Sequence, residues 1–149
     1  MLFDLLRFRG GAKGVLHCSQ ISVGEENNIN IRVYGELAGL EWHQKEPNTM
    51  LLKWLDQPMQ VYRTANGYLG AAAKAASRTP PAHPEGYLEA FANTYKNFAA
   101  TIRARLEKRK PTALESDYPK ITDGIRGMAF IEAVVASSKK NAAWTKLDV

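Results

Sequence analysis

The sequence is poor in the residue patterns that support covalent or metal chemistry. Its one cysteine, Cys18, excludes an internal disulfide and suits a reducing compartment. Its three histidines, His17, His43 and His83, lack the spacing to a second ligand that marks a metal site. No run approaches the roughly 18 apolar residues of a membrane span, and the charged N-terminus is unlike a signal peptide. We therefore expect a cytoplasmic protein with no metal and no membrane partner.

A phosphate-binding glycine loop is also missing. A nicotinamide-binding Rossmann domain needs a G-x-G-x-x-G turn between a strand and a helix, where the helix N-terminus receives the pyrophosphate. The glycines at Gly10-Gly11 and at Gly67 and Gly70 have neither this pattern nor a βαβ context. Walker and G-x-S-x-G motifs are absent as well. We expect no cofactor site and no catalytic residue in this chain.

The composition is that of an ordinary globular domain with a basic balance. The chain has 149 residues, 45% hydrophobic and 23% charged, and a net charge of +5. Its densest basic cluster, Arg103, Arg105 and Lys108 to Lys110, lies at the end of a predicted helix, where cations are favourable. Since no nucleic-acid motif accompanies the charge, we expect no nucleic-acid partner.

The first 64 or so residues predict strands. Ile29, Ile31 and Val33 alternate with polar residues in a period of two. The predicted strands are Leu2–Phe8, Val15–Val23, Ile29–Tyr34, Leu40–His43, Met50–Leu55 and Met59–Arg63. Their regular spacing favours an antiparallel meander. Because residues 50–55 are apolar on both faces, the sheet needs cover on both sides, and part of that cover is expected from another chain or domain.

The second half predicts helices at Ala71–Ala76, 84–109 and 122–140, with Pro84 in the first turn of the longest. Trp144–Leu147 is either a short strand or a tail. Strands followed by helices indicate an α+β fold, a mostly antiparallel open sheet with helices packed on one face. We expect one domain over 1–149, with strands about 2–64 and helices about 70–140.

One segment resembles a binding site. Residues 78–87, RTPPAHPEGY, join two predicted helices and combine prolines with Arg78, His83 and Glu85. A stiff polar loop beside a helix start can hold hydroxyl groups or an anion. The alternative is a helix entry whose side chains only bond the backbone. His17 and His43 fall in predicted strands, where a structural role is the simplest interpretation.

Several segments, in order along almost the whole chain, resemble the glucose–fructose oxidoreductase, inositol dehydrogenase and rhizopine-catabolism (Gfo/Idh/MocA) family. These segments are residues 6–14, Ser19-Gln20 with 24–27, 31–35 with 39–42, 83–93 (HPEGYLEAFAN) and 123–137 (DGIRGMAFIEAVVAS). The resemblance implies an N-terminal Rossmann domain that binds NAD(P), followed by a C-terminal α+β domain. It further implies a sugar or polyol substrate between the two domains, and a sheet whose outer face packs against a second subunit.

The chain departs from the family by lacking its cofactor fingerprint, its Glu-Lys-Pro lysine and its Asp-x-x-x-His pair, which lie upstream of the matched part. We therefore expect Met1 to lie inside the C-terminal domain, in a gene fragment, a truncated product or a natural short protein. His83, Arg78, Glu26 and Gln20 are the candidate substrate-binding residues.

Two functions follow from these patterns. The first is the C-terminal substrate-binding and oligomerisation domain of an NAD(P)-dependent sugar or polyol oxidoreductase, inactive as an isolated chain, with the missing Rossmann domain and further copies of itself as partners. The second is a stand-alone module that binds a small ligand or a protein without redox activity.

Overall fold

The computed structural model describes residues 1–148 and has the α+β fold expected from the sequence, with antiparallel strands and three helices. The elements are β1 (Leu2–Arg7), β2 (Lys13–Cys18), β3 (Asn30–Tyr34), β4 (Ala38–His43), β5 (Thr49–Trp54), β6 (Gln60–Arg63), α1 (Ala71–Ala76), α2 (Tyr87–Leu106) and α3 (Ile121–Lys139). They fall into two compact units. One contains β1, β2 and α3, and the other contains β3 to β6, α1 and α2. The count of one domain stays a prediction.

The first unit contains a two-stranded hairpin. Phe8 N–H donates to the Ala12 carbonyl at 2.9 Å, and Gly10 and Gly11 have φ angles of +91° and +95°, which glycine adopts without strain. The prediction that β2 runs to Val23 is wrong. The ladder ends where Cys18 pairs with Leu2, and the Ser19 hydroxyl then accepts the Ile21 N–H at 3.2 Å in a local turn.

The C-terminal segment lies on this hairpin. The Arg7 guanidinium lies 4.0 Å from the centre of the Trp144 ring, a cation–π contact. Residues 144–147 form no strand, so the tail is the correct alternative.

The second unit contains the four-stranded meander β3-β4-β5-β6, as the period-two pattern predicts. The register places Leu40 opposite Val33 and Leu52, and Trp42 opposite Ile31 and Met50. These residues form one apolar sheet face, which we call the Leu40 face. Glu41 and Lys53 lie on the opposite face, because side chains alternate along each strand.

The bounds of α2 differ from the predicted 84–109 at both ends. Its N-cap is Gly86, so Pro84 lies outside the helix, because Glu85 is held by the preceding loop and by the sheet. At the other end Lys108 has a φ of +56°, and Arg109 N–H donates to the Ala104 carbonyl at 2.9 Å. This is a Schellman motif, which ends the helix at Leu106.

Large apolar side chains remain exposed in both units. Among residues 1–148 only Gly39, Thr101 and Ala104 are buried. In α2 the predicted apolar stripe is exposed, with Leu88 at 76% and Phe91 at 52%. Val33 on the Leu40 face is 55% exposed. Exposed apolar area of this kind marks surfaces that pack against a partner or another domain.

Candidate functional site

The candidate site is the loop of residues 77–86 between α1 and α2, with the Glu85 carboxylate at its centre. Oε1 of Glu85 accepts the Arg78 N–H at 2.6 Å, the Thr79 N–H, and the Thr79 hydroxyl at 2.8 Å. Partial burial raises the pKa of Glu85, but these hydrogen bonds outweigh it and hold the pKa below its usual value of 4.5. One carboxylate therefore closes the loop on itself.

Asn48 ties this loop to the sheet. Its Nδ2 donates to the Glu85 carbonyl at 2.9 Å, and its Oδ1 accepts the Glu85 N–H at 3.1 Å. Asn48 lies one residue before β5, and its Oδ1 also accepts the hydroxyl of Thr64, one residue after β6, at 3.0 Å. The loop is thus fastened to the end of the β5–β6 ladder.

Arg78 links the two helices. Its Nε donates to Asn93 Oδ1 at 2.6 Å and its Nη2 donates to the Ala75 carbonyl at 3.1 Å. Asn93 Nδ2 in turn donates to the Ala76 carbonyl at 2.6 Å. Arg78, a predicted substrate-binding residue, therefore uses its Nε and Nη2 donors to join the end of α1 to α2, which is a structural role.

His83 is exposed at the tip of the loop. Its Nδ1 lies 3.2 Å from the Pro81 carbonyl, and because a carbonyl only accepts, Nδ1 carries the proton. In the neutral ring Nε2 then has a free lone pair, which can accept a hydroxyl proton of a ligand. The preceding Ala82 has a φ of +68°, an unfavourable backbone conformation for alanine. The loop therefore presents an acceptor nitrogen on a constrained backbone.

Gln20 and Glu26, the other two candidate residues, lie in the other unit, in the exposed segment that follows β2. The structure thus brings Arg78 and His83 into one loop, and Gln20 and Glu26 into another segment.

Sequence reasoning missed Asn48 and Asn93. Asn48 follows Pro47 in a predicted turn, where asparagine is common for local reasons, so nothing local indicates its bonds to a residue 37 positions away. Asn93 is within the HPEGYLEAFAN segment, but its partners are on α1.

His43 belongs to a second polar cluster, on the sheet face opposite the Leu40 face. Glu41 lies beside Lys53, beside His43 at 2.6 Å and beside Arg32 at 3.7 Å. The hydrogen bond from Lys53 contributes most, and that from His43 next, to lowering the pKa of Glu41 to about 2. His17 stacks on Phe3 with ring centres 4.4 Å apart. Both histidines therefore have structural contacts.

The basic cluster at the end of α2 is partly neutralised. Arg109 forms a two-pronged ion pair with Glu115, at 2.9 and 2.8 Å, and a further bond to Glu107 at 2.8 Å. These bonds occupy the Arg109 guanidinium and hold the segment after α2 in place.

The N-termini of the two long helices, α2 and α3, do not fit a dinucleotide. Glu89 accepts the Gly86 N–H at the start of α2, at 2.8 Å, and Asp123 accepts the Lys120 N–H at the start of α3, at 2.9 Å. Each carboxylate occupies the positive end of its helix, where it would repel a pyrophosphate.

Among residues 1–148, no group of three or more His, Cys, Asp or Glu residues is placed to hold a metal ion. Over the same range every helix is too short or too polar to cross a lipid bilayer.

Removal of the Glu85 carboxylate is expected to destabilise the second unit. Glu85→Ala loses charge-assisted hydrogen bonds that fasten the loop, so we expect a loss of about 2 kcal/mol in the free energy of unfolding. Urea titration measures this loss, with the exposed Glu36→Ala as the control, expected to change the free energy by less than about 0.5 kcal/mol.

The same carboxylate makes a pH-dependent contribution. Since the pKa of Glu85 is lowered on folding, its contribution is complete above pH 4.5 and declines as the pH falls through the folded-state value. The stability difference between the wild type and Glu85→Gln should narrow over that range. Equal stability of the wild type and Glu85→Ala at pH 7 would contradict the assigned role of the carboxylate.

Comparison with known proteins shows where the chain belongs. Residues 1–147 match the Gfo/Idh/MocA oxidoreductase family, C-terminal alpha/beta domain. The chain is 31% identical over 142 residues to the uncharacterized oxidoreductase YfiI of Bacillus subtilis, covering 95% of this chain and 36% of that protein.

Solved structures agree with this match. An oxidoreductase from Sinorhizobium meliloti superposes with a TM-score of 0.87 at 44% identity, covering 95% of this chain and 40% of that one. An inositol dehydrogenase homolog from Azotobacter vinelandii, complexed with NADH and myo-inositol, gives a TM-score of 0.86 at 33% identity, covering 97% and 38% respectively. The chain thus spans about two fifths of the length of these relatives, and it belongs to the Gfo/Idh/MocA oxidoreductase family, as a C-terminal domain sequence.

Proposed function

We propose that this chain is the substrate-binding and oligomerisation part of an NAD(P)-dependent sugar or polyol oxidoreductase, inactive by itself. The observation that carries the proposal is the loop of residues 77–86, in which a fixed backbone presents the free Nε2 of His83. The similar inositol dehydrogenase homolog complexed with NADH and myo-inositol supports a polyol as the ligand class.

This loop can recognise a polyol through hydrogen bonds to its hydroxyl groups. The lone pair of His83 Nε2 accepts a hydroxyl proton, and the unused Nη1 of Arg78 can donate to a hydroxyl oxygen. Gln20 and Glu26, which lie in the other unit, are proposed separately as hydroxyl ligands, since an amide and a carboxylate suit that chemistry. When bound elsewhere in the enzyme, the nicotinamide supplies the redox chemistry. Because the residues present here do not fit a dinucleotide, we assign no step of that reaction to this chain.

We also propose that copies of the chain associate through the sheet and that the protein works in the cytoplasm. The exposed Leu40 face supports the first part, because apolar area of this kind is stabilised by burial. The exposed, unpaired Cys18 supports the second.

Titration of the chain with myo-inositol and glucose tests the proposed recognition. Amide resonances of the non-proline residues of 77–86 should shift in a saturable way, with weak affinity because part of the site is supplied from outside the chain. His83→Ala should weaken the binding about fivefold or more, since it removes one hydrogen bond to the ligand. His17→Ala, an exposed histidine stacked on Phe3 in the hairpin, is the matched control and should bind like the wild type.

The alternative, a stand-alone module, gives a different pattern. In this alternative the loop around His83 binds a small ligand, or the sheet binds a protein partner, without a redox role, so it predicts tight binding to the isolated chain where the oxidoreductase domain predicts weak binding. Saturable shifts confined to residues outside 77–86 would contradict the proposed polyol site.

A further inference from the structure

The amide of Asn48 behaves as a piece of main chain placed opposite Glu85. One side of the amide donates to the Glu85 carbonyl at 2.9 Å, and the other accepts the Glu85 N–H at 3.1 Å. The two bonds form a closed pair like that between residues of neighbouring strands. A side chain needs a donor and an acceptor on one short arm to make this pair, and asparagine has both.

The other contacts of Asn48 fix where that pair lies. Its carbonyl accepts the Thr64 N–H at 3.1 Å, and its Oδ1 accepts the Thr64 hydroxyl at 3.0 Å. Thr49 pairs with Arg63 in the ladder, so Asn48 and Thr64 continue the β5–β6 pairing by one step. The amide is therefore held by the sheet on one side and by the loop on the other.

Glu85 connects Asn48 to the rest of the loop. Its main chain is held by Asn48, while its carboxylate holds the N–H groups of Arg78 and Thr79. His83 lies two residues earlier, and the intervening Pro84 has a fixed φ. A displacement of Glu85 from the sheet would therefore move the His83 ring with it.

We infer that Asn48 is a positioning residue, which acts through Glu85 to hold the His83 imidazole in the orientation that binds a polyol hydroxyl. This role rests on the proposed function of the loop. Asn48 itself touches no ligand, because both sides of its amide are occupied by protein groups.

Two measurements on the 149-residue chain test this role. Asn48→Ala should raise the exchange rate of the Glu85 amide hydrogen about tenfold or more, because that N–H loses its acceptor. It should also weaken myo-inositol binding about threefold to tenfold in the same titration. Asn48→Asp keeps the acceptor and loses the donor, so both effects should be smaller than in Asn48→Ala.

Asn97→Ala is the matched control. Asn97 lies on α2 and also joins two segments, since its Nδ2 donates to the Asp117 carbonyl at 2.9 Å, outside the loop of residues 77–86. Asn97→Ala also removes a hydrogen bond between two segments, so a change in myo-inositol affinity confined to the Asn48 variant separates positioning of the loop from the loss of such a bond elsewhere.

The outcomes separate the two levels of the proposal. Unchanged exchange at Glu85 in Asn48→Ala would overturn the positioning role. Faster exchange with unchanged myo-inositol affinity would overturn its link to binding. If the wild type fails to bind any polyol, the proposed function of the loop fails, and with it the link to binding, whereas the exchange rates still decide whether Asn48 holds Glu85.

Discussion

Light scattering of the isolated chain is expected to give a mass well above 16.6 kDa, rising with protein concentration. The Leu40 face is the reason. Val33 and Ile31 on β3 are 55% and 52% exposed, and Leu40 on β4 is 39% exposed. Each buried side chain of this size contributes about 1.5–3 kcal/mol relative to full exposure, so pairing of two such faces is favourable.

A charge on that face should reverse the effect. Val33→Lys places an ammonium in the proposed contact, and burying it unpaired is costly, so we expect the apparent dimer dissociation constant to rise about tenfold or more. Tyr34→Lys is the matched control, because Tyr34 is the next residue along β3, is 75% exposed and points to the opposite face. A concentration-independent mass of one chain for the wild type would refute association through the sheet.

Self-association of this kind would also explain an otherwise unfavourable distribution of apolar residues. The α2 stripe, which includes Leu88 and Phe91, is exposed in the same unit as the Leu40 face. A single domain rarely leaves several large apolar surfaces in water. Under the proposed function, one of these surfaces would pack against the rest of the oxidoreductase and another against a second copy.

Local periodicity was sufficient to predict the regular elements. Alternation in Asn30–Tyr34 and the three- and four-residue steps along α2 are properties of short windows, so strand β3 and most of the helix were predictable. Val23 was placed wrongly because apolar alternation continues past Cys18, whereas the ladder stops for want of a partner beyond Leu2. The residues of one strand therefore do not determine where its pairing with the neighbouring strand ends.

Part of the candidate site was also predictable from local sequence. His83 and Arg78 share one proline-rich loop, so their proximity follows from the sequence. Pro84 was predicted to begin α2 because its ring suits a first turn. It lies in the loop because Asn48, 37 residues before Glu85, holds the neighbouring main chain. Contacts between residues so distant in sequence depend on the sheet register, which local patterns do not give.

We propose that this chain recognises substrate while the dinucleotide is held elsewhere. The positive ends of α2 and α3 are occupied by Glu89 and Asp123, and the sequence has no G-x-G-x-x-G turn. An added NADH would thus meet carboxylates where a Rossmann domain offers free N–H groups. This arrangement predicts that the chain does not bind NADH at concentrations up to about 1 mM.

Calorimetric titration of the isolated chain with NADH tests that claim most directly. The inositol dehydrogenase homolog of Azotobacter vinelandii, which has been crystallised with NADH, serves as the positive control. We predict no saturable heat for this chain up to about 1 mM NADH, where any site with a binding free energy more favourable than about −4 kcal/mol would be more than half filled. Stoichiometric binding of NADH with a micromolar dissociation constant would contradict the claim.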